Sequence, residues 1–211
     1  MAKANEILAI LKEMLPEVRT ELAYENLYQL TVAVVLSAQA TDVAVNKATP
    51  ALFARYPDFT ALAQADYDEL REMIKTIGLA PTKARNLINL SRKLVSEKGG
   101  MIVPDPEYLL TLPGIGRKSA NVILSEGFGI PRLAVDTHVA RVANRLGLAA
   151  ATAPARIEAE ICALYPPAEW HQLHLRLVLF GRYHCLARKP RCHECKLTAY
   201  CQYYTNIAPV E

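Results

Sequence analysis

The chain has 211 residues and a mass of 23.3 kDa, enough for one large domain or two small ones packed together. Hydrophobic residues make up 52% and charged residues 21%, with no polar low-complexity tract, which excludes a largely disordered protein. The longest apolar run, residues 30–40, is interrupted by Thr31, Ser37 and Gln39 and is far shorter than the roughly 20 residues of a membrane span. The N-terminus lacks both the apolar block of a signal peptide and the Arg-rich, acid-poor pattern of a transit segment, so an intracellular protein without a membrane partner is expected.

The net charge of +3 is too small to identify a partner, but its distribution is uneven. Residues 57–75 carry Asp58, Asp66, Asp68, Glu69 and Glu72 against Arg71 and Lys75, whereas over residues 81–98 Lys83, Arg85, Arg92, Lys93 and Lys98 outnumber Glu97. Over residues 182–196 Arg182, Arg188, Lys189, Arg191 and Lys196 outnumber Glu194. Each basic cluster by itself reads as a solvated helix or loop face.

In chain order the period is helical almost throughout. Ile7, Leu8, Ile10, Leu11, Met14 and Leu15 form one amphipathic stripe, and Leu87, Ile88, Leu90, Leu94 and Val95 another. Asp42 is the expected start of a helix over 43–56, and Asp66 of one over 67–77 that Gly78 closes. Pro81 opens a helix over 82–98, closed by Gly99 and Gly100. No segment sustains the two-residue alternation of a strand. The fold class is all-α, about ten helices joined by short connections. Any domain boundary must be a packed one, and residues 127–131 are the expected crossing point.

The first chemical motif runs Leu112-Pro113-Gly114-Ile115-Gly116-Arg117-Lys118-Ser119-Ala120-Asn121-Val122-Ile123-Leu124. Two glycines separated by one residue let the backbone turn sharply between helices and leave amide N–H groups uncovered at the second helix's start, a seat for a phosphate. A bare Gly-x-Gly would equally be a turn without function. The full pattern, with the basic pair and Ala120 allowing close helix approach, marks a helix-hairpin-helix DNA-binding element. Ile77-Gly78-Leu79 followed by Thr82-Lys83-Ala84 reads as a degenerate second hairpin.

Lys118 could neutralise a phosphate or act as a nucleophile. The second role requires a deprotonated amine, hence a pKa below the usual value of about 10.4, through desolvation or positive potential from the helix start and Arg117. Asp136 opens the amphipathic segment Val135-Asp136-Thr137-His138-Val139-Ala140-Arg141-Val142 and reads as a helix cap, a role compatible with stabilising cationic sugar character and assisting proton transfer.

Four of the five cysteines lie within 17 residues as Cys185-x6-Cys192-x2-Cys195-x5-Cys201. An intracellular chain argues against two disulfides, so the crowded sulfurs point to a metal centre, with zinc and iron–sulfur both open on spacing alone. Cys162, in an aliphatic context, reads as a small core residue.

Together the segments 36–42 (LSAQATD), 112–124, 135–148 (VDTHVARVANRLGL), 181–185 (GRYHC) and the four-cysteine spacing closely resemble the endonuclease III family, base-excision-repair DNA glycosylases with an iron–sulfur cluster. The resemblance implies a two-lobed helix-hairpin-helix glycosylase fold, with a six-helix barrel domain over residues 20–130 and a cluster domain combining 1–19 with 131–211. It implies a 4Fe–4S cluster on Cys185, Cys192, Cys195 and Cys201. It further implies a monomer acting on double-stranded DNA at damaged pyrimidines or abasic sites, at the nucleoid. Residue by residue, Lys118 would be the Schiff-base lysine and Asp136 the catalytic carboxylate. Gln39 would fill the gap left by the flipped base, Leu79 would wedge into the stack, and His138 would contact the abasic sugar or its phosphate. Gly114, Gly116 and Arg117 would hold the backbone, and Lys189 and Arg191 would project from the cluster loop at phosphates. Ala80-Pro81-Thr82 departs from the aromatic or bulkier polar residues of many relatives, and Ser119 stands where Thr is usual. Adenine-mismatch relatives share the hairpin and cluster but lack the lysine, and a non-catalytic DNA-binding module would require neither Lys118 nor Asp136.

Overall fold

The computed structural model describes residues 2–207, in which every regular element is helical. Twelve α-helices occur among these residues: α1 (Ala2–Met14), α2 (Leu27–Ser37), α3 (Asp42–Arg55), α4 (Phe59–Ala63), α5 (Tyr67–Met73), α6 (Ala80–Lys98), α7 (Pro106–Leu110), α8 (Arg117–Val122), α9 (Thr137–Leu146), α10 (Pro154–Leu164), α11 (Pro167–Tyr183) and α12 (Gln202–Ile207). None is long and apolar enough to cross a membrane. The chain divides into two compact units, Thr20–Ile130, and Met1–Arg19 with Pro131–Glu211.

In the unit Thr20–Ile130, α2 is the buried centre. Asn26 caps it through its side chain, and Leu30 to Leu36 are all buried, as expected for a helix apolar on every face. Around it pack Leu52 of α3, Leu62 of α4, Leu70 of α5 and Leu87, Leu90 and Leu94 of α6, all fully buried. Each such aliphatic contributes about 1.5–3 kcal/mol when removed from water, so this core holds the loops between the helices in place. α8 runs on into a π-helical turn, Ile123–Gly127, a departure from α geometry that occurs often beside functional sites.

In the other unit α1 buries Ala4, Ile7, Leu8 and Leu11 against a cluster that includes Val139, Val142, Ile157, Ile161, Leu173 and Leu177. The Tyr165 hydroxyl donates to the Ala4 carbonyl at 2.9 Å. Arg176, 5% exposed, donates from Nε to the Leu15 carbonyl and from Nη2 to that of Pro16, fixing the chain that leaves α1.

Several expectations shift. Among the described residues there are twelve α-helices rather than about ten. Thr41, not Asp42, caps α3, its side chain accepting from the Ala44 amide. The helix expected over 67–77 stops at Met73, because Ile74 and Ile77 reach the core through tighter turns, Lys75 N to Glu72 O and Ile77 N to Ile74 O. Cys162 is half-buried and packs against the apolar cluster of its unit.

Candidate nucleic-acid interface and cysteine centre

The hairpin turn lies between α7 and α8. Asp105 caps α7 by accepting from the amides of Glu107 and Tyr108, and the Thr111–Gly116 turn leads into α8. The two glycines have different reasons to be there. Gly114 has φ +84°, and a Cβ on it would lie 3.1 Å from Asn86 and 3.3 Å from Val35. Gly116 has φ −99°, and a Cβ on it would meet nothing within 4 Å. Both residues are exposed, so the space beside Gly116 is open to an external group. Ile115 and Ala120 are buried and bring α8 against its neighbours. The first intrahelical bond of α8 is Ala120 N to Gly116 O. Arg117 and Lys118 stand exposed in this first turn.

Two further positions of this unit have left-handed backbone without being glycine. Gln39 (φ 54°) lies beyond the end of α2 and is exposed, not inside an apolar helix, and Leu79 (φ 62°) is 55% exposed at the start of α6. Their loops meet: a Cβ on Gly78 would lie 3.5 Å from the Gln39 carbonyl oxygen. Left-handed backbone costs such residues energy and persists where the surroundings enforce it. Within the segment read as a degenerate second hairpin, Lys83 is buried at 4% exposure and donates to the Leu36 carbonyl at 2.9 Å. Burial also pushes its pKa below the usual lysine value. Two other members of the first basic cluster support structure as well: Arg92 Nε donates to the Ala63 carbonyl, and Lys98 lies over the Tyr108 ring.

In the other unit Asp136 caps α9, its Oδ1 accepting from the amides of His138 at 2.9 Å and Val139 at 2.8 Å. His138 Nδ1 is 3.2 Å from Arg141 Nη2, and the same guanidinium donates to the carbonyls of Gly181 at 2.7 Å and Cys185 at 3.2 Å. Gly181 permits this approach, since a Cβ there would lie 3.0 Å from His138 Cβ and Val142 Cγ2. One turn further along α9, Arg145 donates to the carbonyls of Leu186 and Ala187 and stacks on Tyr203 at 4.2 Å. Neither arginine stood out in the sequence, although their i, i+4 spacing behind Asp136 places them on one helix face.

Cys185, Cys192, Cys195 and Cys201 line one cavity together with Leu146, Phe180, His184 and Tyr203. Burial and the neighbouring sulfurs push the Cys192 thiol up, and burial does the same to Cys195, so thiolates held this close are stabilised by a bound cation that displaces their protons. Among the described residues no three His, Cys, Asp or Glu side chains are placed to hold a single metal ion. Four thiolates at the corners of an iron–sulfur cluster fit this arrangement. His184 adds a buried Nε2 without a hydrogen-bond partner on the same cavity wall, a polar atom that a cluster sulfur would satisfy. Lys189, with φ 51°, and Arg191 are exposed on the loop between the first two cysteines.

The family model for the HhH-GPD superfamily of base excision DNA repair proteins matches residues 32–167, and that for the iron-sulfur binding domain of endonuclease III matches residues 185–201. Endonuclease III of Synechocystis sp. is 48% identical over 94% of this chain and 91% of its own length, and that of Escherichia coli 42% identical over 98% of each. Among solved structures, a non-covalent endonuclease III–DNA complex superposes with a TM-score of 0.93 at 38% identity, covering 98% of each chain. A trapped endonuclease III–DNA covalent intermediate gives 0.92 at 39%, covering 96% of this chain and 97% of that one.

Proposed function

The chain belongs to the endonuclease III family of helix-hairpin-helix base excision repair proteins, and from that premise we propose that Lys118 is its nucleophile and Asp136 its electrostatic partner. The protein is a bifunctional DNA glycosylase and abasic-site lyase acting on oxidised or ring-saturated pyrimidines in duplex DNA. The observation carrying the assignment of Lys118 is its exposure in the first turn of α8, behind a glycine turn whose outer side is open at Gly116.

In this reading the damaged nucleotide leaves the stack, because its C1′ is out of reach inside a duplex. Lys118 Nζ attacks C1′, the glycosidic bond breaks, and the base departs with the bonding electrons and a proton. Opening of the sugar ring leaves an imine between Lys118 and C1′. Loss of a C2′ proton then expels the 3′ phosphate, and water releases the lysine. Asp136, oriented by two backbone amides, stabilises the cationic sugar. Gln39 and Leu79 hold the opened duplex, His138 contacts the abasic sugar or its phosphate, and Gly114, Gly116 and Arg117 seat the backbone. Lys189 and Arg191 meet further phosphates.

The unit Thr20–Ile130 is then the six-helix barrel domain with the hairpin, and Met1–Arg19 with Pro131–Glu211 the cluster domain. Cys185, Cys192, Cys195 and Cys201 would hold the 4Fe–4S cluster, which when bound cross-links the loops of residues 185–201. We place the protein at the nucleoid inside the cell.

Borohydride reduction on an abasic-site duplex tests the central assignment. The native protein should be trapped covalently and Lys118→Gln should not, and trapping of the variant at the native rate would assign the nucleophile to another amine.

A further inference from the structure

The last carbonyls of a helix have no partner within it, and α2 ends at Ser37. One of them, Leu36 O, accepts from Lys83 Nζ at 2.9 Å, across 47 residues of chain. Burying an amine against a neutral carbonyl is a costly way to satisfy one acceptor, since the ammonium loses its hydration without gaining a counter-charge. What the contact does achieve is to fix the first turn of α6 against the end of α2.

Those two ends carry Gln39 and Leu79, the pair with left-handed backbone and exposed side chains. Lys83 touches both sides. Its side chain holds the helix two residues before Ala38, and its own amide donates to the Leu79 carbonyl at 3.0 Å. Between them Ala40 N donates to Ser37 O, closing the turn that throws Gln39 outward, and the Gln39 carbonyl lies against Gly78. Two strained residues in contacting loops need a fixed spacing, and a buried lysine bridging the loops supplies it.

We propose that Lys83 is a positioning residue of the base-flipping apparatus, setting the spacing of Gln39 and Leu79 through its bond to Leu36 so that both side chains enter the opened duplex together. This rests on the reading above that Gln39 and Leu79 act on DNA. Lys83 itself, being buried, touches no phosphate.

The test uses the full chain with its cluster, comparing Lys83→Met, which keeps the stem but removes the donor, with Lys83→Arg, which keeps a donor. Binding is measured on a duplex with an abasic-site analogue and on the undamaged duplex. The opening of the helix is followed by 2-aminopurine fluorescence beside the lesion. Lys83→Met should weaken lesion binding about tenfold, a loss of about 1.4 kcal/mol, leave undamaged binding unchanged, and lower the fluorescence rise. Lys83→Arg should lie within about threefold of the native protein. In a Gln39→Ala background, Lys83→Met should cost little more, because the two act through one contact. Equal losses on both duplexes, or fully additive losses in the double variant, would overturn the proposal. If Lys83→Met does not fold, Lys83→Leu, which also removes the donor, carries the same comparison. Should Gln39→Ala and Leu79→Ala both leave lesion preference intact, the reading beneath the proposal fails instead, a result separable from any effect of Lys83.

Discussion

Arg145 Nη1 lies 3.3 Å from Cys185 Sγ while donating to the Leu186 carbonyl at 2.7 Å, so one guanidinium holds both a cysteine sulfur and the loop that follows it. Its stacking on Tyr203 extends the hold to α12. Arg145→Met should therefore cost about 2 kcal/mol in urea unfolding of the cluster-loaded protein, the scale of charge-assisted hydrogen bonds. It should also speed the loss of the broad absorbance near about 400 nm in air, because N–H donors to the sulfurs help set the cluster's potential. Cys192→Ser should lower stability further while leaving imine formation by the remaining folded protein measurable. Stoichiometric zinc without acid-labile sulfide in anaerobically prepared protein would contradict both expectations.

The basic loop makes a separate prediction. Replacing Lys189 and Arg191 by Ala should weaken binding to abasic and undamaged duplexes alike and reduce the slope of log K against log salt by about 0.9 for each phosphate no longer neutralised. A slope unchanged from the native protein would place the loop away from DNA.

Lys118 and Asp136 should separate on a preformed abasic site. Asp136→Asn removes the charge but keeps the cap geometry, so base release should slow by about 2.7–4 kcal/mol of barrier, as with other preorganised electrostatic groups. Because the glycosidic bond is already broken in an abasic duplex, this variant should still be trapped there by borohydride, whereas Lys118→Gln should not.

The hairpin glycines should fail in opposite ways. Gly114→Ala meets Asn86 and Val35 and forces a side chain into positive φ, so thermal unfolding should show a loss of about 1–2 kcal/mol. Gly116→Ala meets no protein atom and should unfold like the native chain, yet bind duplex DNA more weakly because its methyl group occupies the open space beside the turn. Equal stability losses in the two variants would contradict this division.

Tyr165 gives a pH signature. Burial pushes its pKa up to about 12, while in the unfolded chain it titrates near its ordinary value of 10.0. The folded state thus binds more protons between those values, and the contribution of this group, complete below pH 10, is lost as pH rises towards about 12. Tyr165→Phe should flatten that decline in chemical-denaturation curves and cost about 1 kcal/mol at neutral pH, because the hydrogen bond to Ala4 is removed.

Local pattern in the sequence reached the helices, the glycine turn, the Asp136 cap and the gathering of four cysteines, since each is written in neighbouring residues. It missed relationships whose partner comes from elsewhere in the chain. Lys83 counted as one surface cation among five, because nothing near it in sequence reveals the Leu36 carbonyl that buries it. Gln39 lies within the interrupted apolar run of residues 30–40, where nothing local shows that α2 stops before it, at Ser37. Arg141 and Arg145 took no role from the sequence, and only the fold brings the carbonyls of Gly181, Cys185 and Leu186 to them.

The discontinuity of the unit built from both ends of the chain has a consequence for synthesis. α1 emerges from the ribosome long before the α9, α10 and α11 surfaces that cover Ile7, Leu8 and Leu11. A helix of 13 residues is marginal alone, so its apolar face must wait uncovered while the whole of Thr20–Ile130 is made and folds. Nascent chains halted before Thr137 should accordingly present this segment to chaperones and proteases, and release should be what withdraws it.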